Sequence, residues 1–340
     1  MASAASDIGC YLLPGTSADP RAALDEAAMA ESLGLNGVWI AEKFGLKDLP
    51  SLAGAIAATT SRVMIGAGVT HLGFRHPLAI ASMGQTLQAL SGGRFRIGFG
   101  RGAPPKWQAA GITQPTITAF ADMAAVLRQL WSGARVCYDG PAGRFPSLRI
   151  DVIADLPQPP ILMAAIGPKT LEMAARHFDG VILHPFLTPA AVASCVSAVR
   201  AARAEAGLPQ ENFKVIAAVI VGLPAERSQQ VRLAQARAAR YLGAPSLARA
   251  LARVNGWDLA RLTGLAGTGA REQDGGSAIT APTLPADLVE ASSVLGDPAE
   301  AVSGLAAYSE AGADELILHG GTIHELQRMA AALTGTADGR

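Results

Sequence analysis

The sequence predicts a (β/α)₈ barrel with insertions, and three observations carry that expectation. Short runs rich in β-branched residues alternate with alanine-rich helical runs along the chain, the pattern that builds a parallel sheet with crossover helices. The chain has 340 residues, half of them hydrophobic, enough to bury a large core. No polar linker divides it, so residues 1–340 read as one barrel domain with insertions at about 132–160 and 244–290.

Taken in order, the first strand is Ile8 to Leu13, followed by a helix from Pro20 to Leu33 that Gly34 closes. Gly37 to Ala41 and the helix Pro50 to Thr59 form the second pair. Val63 to Val69 is the third strand, and Pro77 opens a helix that the Ser91-Gly92-Gly93 turn stops after Leu90. Arg94 to Gly98 is the fourth strand. Its helix, Thr116 to Trp131, begins only after a loop long enough to suggest a function.

Gly, Pro and short β-like pieces between Ser132 and Pro160, including Arg135 to Tyr138, read as an inserted hairpin before the fifth strand, Ile161 to Ala165. A helix starts at Pro168. Strand six is Gly180 to Leu183 with the helix Pro189 to Ala206, and strand seven is Lys214 to Val221 with a helix from Ala225 to Leu242. The pattern weakens from Pro245 to Pro285, where the glycine-rich stretch Gly264 to Gly276 reads as a mobile loop. A helix from Pro298 to Ala311, strand eight from Glu315 to His319, and a last helix from Thr322 to Leu333 complete the alternation.

Charge excludes some functions. With 28 basic and 28 acidic side chains the net charge is zero, which argues against a nucleic-acid binder or a polybasic membrane protein. No apolar run is long enough to span a bilayer and no signal sequence opens the chain, so the expectation is a cytoplasmic protein acting on a small molecule. The 3 cysteines, Cys10, Cys137 and Cys195, are widely spaced and fit neither a disulfide framework nor a zinc site. No metal site is expected.

In such barrels the active site lies at the C-terminal ends of the strands. Glu42-Lys43-Phe44 follows strand two, and Gly68-Val69-Thr70-His71 closes strand three with a glycine that permits close backbone approach. Phe99 to Lys106 follows strand four, His184 follows strand six, and His319-Gly320-Gly321 follows strand eight. After strand five, Ala165-Ile166-Gly167-Pro168-Lys169-Thr170 combines a tight turn, a proline at a helix start, a cation and a hydroxyl. That combination suits a phosphate at a helix N-terminus. No dinucleotide fingerprint and no serine nucleophile elbow is present.

These segments, in this order, resemble the bacterial luciferase-like flavin-dependent oxidoreductases, and among them the branch that uses the deazaflavin coenzyme F420. The resemblance is carried by Gly34 to Phe44, by Arg75-His76-Pro77 through Leu90-Ser91-Gly92-Gly93-Arg94 to Gly102, by Pro159 to Thr170 continuing to Asp179-Gly180-Val181, and by Gly296-Asp297-Pro298 with Ala311 to Asp314. It implies an isoalloxazine-type ring at the barrel mouth, above a bulge near Gly68-Val69 that contains a non-proline cis peptide. It also implies that Gly167 to Thr170 bind the cofactor phosphate.

Two positions depart from that branch. Lys43 stands where a subset carries a catalytic histidine, and Ala103 where some carry a glutamate. The acid/base candidates are then Glu42, Lys43, His71 and His184, and the cofactor-binding candidates are Gly68, Val69 and Ala165 to Thr170. The expected function is F420-dependent hydride transfer to or from a small organic substrate. The alternatives are an FMN-dependent monooxygenase and a non-catalytic cofactor-binding homologue. The resemblance also implies a homodimer through helices near strands two and three.

Overall fold

The computed structural model describes residues 7–12, 19–102, 104–153, 155–223, 226–242, 245–263 and 285–334. The expected strand end at Leu13, Ala103, the helix start at Ala225 and the glycine-rich stretch Gly264 to Gly276 lie outside them.

The chain opens with β1 (Ile8–Tyr11), α1 (Ala22–Ser32), β2 (Gly37–Ile40), α2 (Leu49–Thr59), β3 (Met64–Thr70), α3 (Pro77–Ser91) and β4 (Phe95–Phe99). A short helix α4 (Pro104–Ala109) precedes α5 (Ile117–Trp131), and the hairpin β5 (Val136–Gly140) and β6 (Gly143–Leu148) leads to β7 (Ile161–Ala165). Then come α6 (Pro168–His177), β8 (Gly180–Leu183), α7 (Pro189–Glu205), β9 (Lys214–Gly222), α8 (Arg227–Leu242), α9 (Pro245–Asn255) and α10 (Ala260–Thr263). The described chain closes with α11 (Ala286–Ala291), β10 (Ser293–Leu295), α12 (Pro298–Glu310), β11 (Glu315–His319) and α13 (Ile323–Thr334).

Parallel pairing runs β9-β11-β1-β2-β3-β4-β7-β8 and returns from β8 to β9, which closes an eight-strand ring. All eight expected strands are in it. Two expectations change. The loop after β4 holds α4, because Trp107 turns inward to 2% exposure and donates its indole N–H to the Arg101 carbonyl at 2.7 Å. The region before α12 adds β10, which pairs with the far end of β9 from Ile220 to Gly222.

Local chemistry sets the helix starts. Asp48, Thr116 and Thr188 accept backbone N–H bonds from the first turns of α2, α5 and α7, and Asp297 with Glu300 forms a reciprocal cap on α12. Prolines stand in the first turn of α3, α6 and α7, where a missing N–H costs nothing.

The core has two parts. One lies between the strands and the outer helices. The other fills the ring and is built from Trp39, Met64, Leu162, Ile182, Ile216 and Ile317, with Tyr11, Val69 and Ala164 above them. Trp39 dominates this interior, and a Cβ at Gly66 would stand 2.2 Å from its ring. At the N-terminal end of the ring, Arg96 pairs with Glu315. Among the described residues no helix is long and apolar enough to cross a membrane, and no cluster of three His, Cys, Asp or Glu side chains is placed to hold a metal.

Candidate active site at the barrel mouth

Strand parity decides which side chains face the mouth. Inward positions recur every second residue, so Tyr11 follows Gly9, His184 follows Ile182, and His319 follows Ile317. β3 breaks this rhythm. Its register against β4 moves from Gly68↔Gly98 directly to Thr70↔Phe99, a bulge that places Val69 among the interior residues. The Gly68–Val69 peptide is cis, as the family resemblance implied.

Around the bulge the chain leaves little room. A Cβ at Gly100 would lie 2.3 Å from Val69 Cγ2, and one at Gly68 would lie 3.0 Å from Trp39 and 3.1 Å from the Tyr11 hydroxyl. Glycine at both positions lets backbone form the floor of the mouth.

Glu42 braces that floor. Its side chain is wholly buried, and Oε2 accepts the Thr70 hydroxyl at 2.5 Å and the His71 backbone N–H at 3.3 Å. Oε1 meets the Arg75 guanidinium at 2.5 Å, and Arg75 also reaches Asp48 at 3.2 Å. Both oxygens of this acid/base candidate are therefore engaged. The Glu42 backbone N–H donates to the Val69 carbonyl at 3.1 Å, which joins the end of β2 to the bulge.

His71 sits beside this network with Nδ1 3.0 Å from the Gly100 carbonyl. Phe44, Phe74 and Trp107 surround its ring, with centroids 6.0, 6.4 and 5.8 Å away. Lys43 follows Glu42 just beyond the end of β2. It bridges by backbone to Lys47, whose pKa is lowered first by burial and then by the Lys43 charge.

His184 belongs to the opposite side of the mouth. Its Nδ1 lies 2.6 Å from the Pro185 carbonyl, and its ring meets Tyr241 edge-on at 4.9 Å. Burial pushes its pKa down to about 4, against the raising effect of the Pro185 bond, so the ring is neutral near pH 7. The next turn is pinned by Asn255, which donates to the Phe186 carbonyl at 2.9 Å and accepts the Thr188 N–H at 2.9 Å. Phe186 needs that support, since its φ is 70°.

Two mouth residues fall outside the sequence-based candidates. Tyr11 ends β1, and Tyr241 comes from α8 to bond His319. The inward parity of β1 was a usable signal for Tyr11. Nothing local marks Tyr241, which sits in a helix of arginines and alanines.

The segment after β7 is neighbour to β4 in the ring. Ala165 is buried, Ile166, Gly167 and Thr170 are half-buried, and Pro168 and Lys169 are exposed at the start of α6. The Thr170 hydroxyl donates to the Gly167 carbonyl at 2.9 Å and accepts its N–H at 3.2 Å, so it closes the helix end itself. Gly167 has an ordinary φ of −94°, and a Cβ there would meet only Thr170 Oγ1 at 3.9 Å. Neither conformation nor internal packing requires glycine here. A bare backbone facing outward suits a bulky anionic group approaching the Lys169 end of the helix.

The chain resembles known proteins along this framework. The model of the luciferase-like monooxygenase family matches residues 4–315. Over 160 residues the chain is 34% identical to the 5,10-methylenetetrahydromethanopterin reductase of Methanolobus tindarius, covering 46% of this chain and 48% of that protein. Over 177 residues it is 34% identical to the F420-dependent glucose-6-phosphate dehydrogenase of Kineococcus radiotolerans, covering 46% and 50%. The chain thus spans about half the length of these curated relatives.

Among solved structures, the coenzyme F420 dependent tetrahydromethanopterin reductase from Methanopyrus kandleri aligns with a TM-score of 0.78. It is 22% identical and covers 97% of this chain and 98% of that one, a likeness of fold. With a family match over nearly the whole barrel and a bulged third strand at its mouth, the chain belongs to the luciferase-like monooxygenase family.

Proposed function

We propose that this chain is an oxidoreductase that uses coenzyme F420 to exchange hydride with a small organic substrate at the barrel mouth. The observation that carries the reading is the pairing of a backbone floor at Gly68, Val69 and Gly100 with a bare helix start at Gly167. The first suits a flat ring and the second its phosphate. F420-dependent names among the relatives matched at 34% and 32% identity support the same cofactor.

When bound, the deazaflavin supplies the hydride acceptor or donor, and the protein supplies position and electrostatics. Gly68 and Val69 would hold the ring and Ala165 to Thr170 its phosphate end, with Lys169 supplying the cation. Glu42 is a positioning residue that acts through Thr70, the His71 backbone and Arg75. His71, Lys43 and His184 wall the site.

FMN is the second reading, because a helix start with one nearby lysine also suits a single phosphate. We further propose one domain that works as a homodimer in the cytoplasm. Exposed Leu90 on α3, beside Gly54 on α2, supports the dimer, and three free cysteines suit a reducing compartment.

The test is equilibrium binding of the purified chain to F420 and to FMN in parallel, read by fluorescence. Tight F420 binding with weak FMN binding is expected. The reverse favours the monooxygenase reading, and binding of neither rejects both.

A further inference from the structure

Hydride chemistry between an alcohol and a carbonyl leaves a proton to be placed. The candidates near the bulge are committed elsewhere: Glu42 to Thr70 and Arg75, and His71 through Nδ1 to Gly100 behind three aromatic rings. The other side of the mouth holds a different arrangement. Tyr241 Oη and His319 Nε2 are 2.7 Å apart, and both residues are half-buried. The Tyr11 ring lies 4.8 Å from the His319 ring, and the Tyr11 hydroxyl borders Gly68 in the bulge.

We infer that Tyr241 and His319 form the proton-transferring pair of this active site. The inference rests on the oxidoreductase reading above. A short bond between a phenol and an imidazole can pass a proton in either direction without moving a heavy atom. In the oxidative direction the substrate C–H bond breaks and its electron pair leaves as hydride to the deazaflavin. The substrate O–H proton passes to Tyr241 Oη as the Tyr241 proton passes to His319 Nε2, and the carbonyl forms. Reduction runs the same transfers backward, with the carbonyl oxygen taking the Tyr241 proton.

The surroundings hold the pair in place. His319 ends β11 on its inward parity, and Arg237 of α8 donates to the Gly320 carbonyl at 3.1 Å, fixing the turn that follows. Among the described residues, the titratable and charged groups seen packed around the pair include Tyr11 of β1, His184 after β8 and Arg237 of α8. Burial first, and then Tyr241, push the Tyr11 pKa up, so Tyr11 stays a protonated cover over His319 rather than a competing base. His184, neutral near pH 7, adds no charge beside Tyr241.

The experiment uses the full chain as wild type, Tyr241→Phe and His319→Gln. F420 binding by the wild type is measured first, and its absence overturns the F420 reading on which the pair rests, before any variant is compared. With binding established, the proton-holding role is read without turnover, by nuclear magnetic resonance titration of the His319 ring. Tyr241→Phe keeps the ring packing and removes one donor to the neutral imidazole, so the His319 midpoint is expected to rise by about one pH unit. An unmoved midpoint overturns the pair.

Turnover is then followed anaerobically with F420 and a panel of alcohols, and with reduced F420 and a panel of aldehydes and ketones. Both variants are expected to lose about 100-fold or more in kcat and one limb of the pH profile, with the F420 Kd unchanged. Full kcat with an intact pH profile in His319→Gln overturns the pair and leaves the cofactor reading standing. If no panel compound turns over, the titration alone decides.

Discussion

Arg96 of β4 and Glu315 of β11 meet across the inside of the barrel, with Arg96 Nη1 3.0 and 2.8 Å from the two carboxylate oxygens. Their strands lie on opposite sides of the ring, so one ion pair ties the two halves at the end away from the mouth. Removing one partner strands a charge in the interior. Glu315→Leu is expected to cost about 3–5 kcal/mol in urea unfolding, and Arg96→Met with Glu315→Leu to recover most of that loss. A double variant no more stable than the single one would contradict this.

Trp39 predicts a steric effect one layer higher. Gly66→Ala places a methyl 2.2 Å from the Trp39 ring, and a buried indole has no route aside. A destabilisation of about 1–3 kcal/mol is expected, relieved in part by Trp39→Phe. Thermal unfolding of the single and double variants checks it.

Glu31 predicts an acid limb in the stability curve. Burial alone would raise its pKa, but backbone N–H bonds from Val63, Arg62 and Ser61 outweigh that and lower it from 4.5 to about 2. The folded pKa lies below the unfolded one, so the stabilisation is complete above pH 4.5 and drains away as pH falls toward about 2. Glu31→Gln should flatten that limb and cost about 1–2 kcal/mol at pH 7, allowing for solvent screening. Denaturant midpoints across that pH range give the comparison.

His184 acts in a higher window. Its folded pKa of about 4 lies below the ordinary 6.5, so its stabilisation is whole above pH 6.5 and is lost as pH falls toward 4. Replacing it with Gln should remove this part of the pH dependence. An identical slope in the variant would assign the loss to other groups.

Glu42 predicts coupling between fold and cofactor. Glu42→Gln leaves Arg75 facing an uncharged amide beside the bulge, and about 2–4 kcal/mol of stability should go with it. On the proposed function, F420 binding weakens as well, because the floor at Val69 loses its brace. Urea unfolding of the variant measures the first effect, and calorimetric titration with F420 measures the second.

Much of the molecule was legible in the chain itself. Strand and helix periods, prolines at helix starts and glycines past helix ends are local physics. They located all eight barrel strands to within a residue or two over the described residues. They also placed the β5–β6 hairpin and the helix start at Gly167. The site was legible in part: Glu42, His71 and His184 do lie at the mouth, because residues just after barrel strands must.

Only the closed ring decided what those residues touch. Arg96 and Glu315 are 219 residues apart in sequence, and Tyr241 and His319 are 78 apart. No period links such positions. Partners of that kind are chosen when the strands close in one register and inward parity becomes a shared direction. That closure set Glu42 against Thr70 and Arg75, drew Trp107 inward on α4, and brought a helix tyrosine onto the histidine of the last strand.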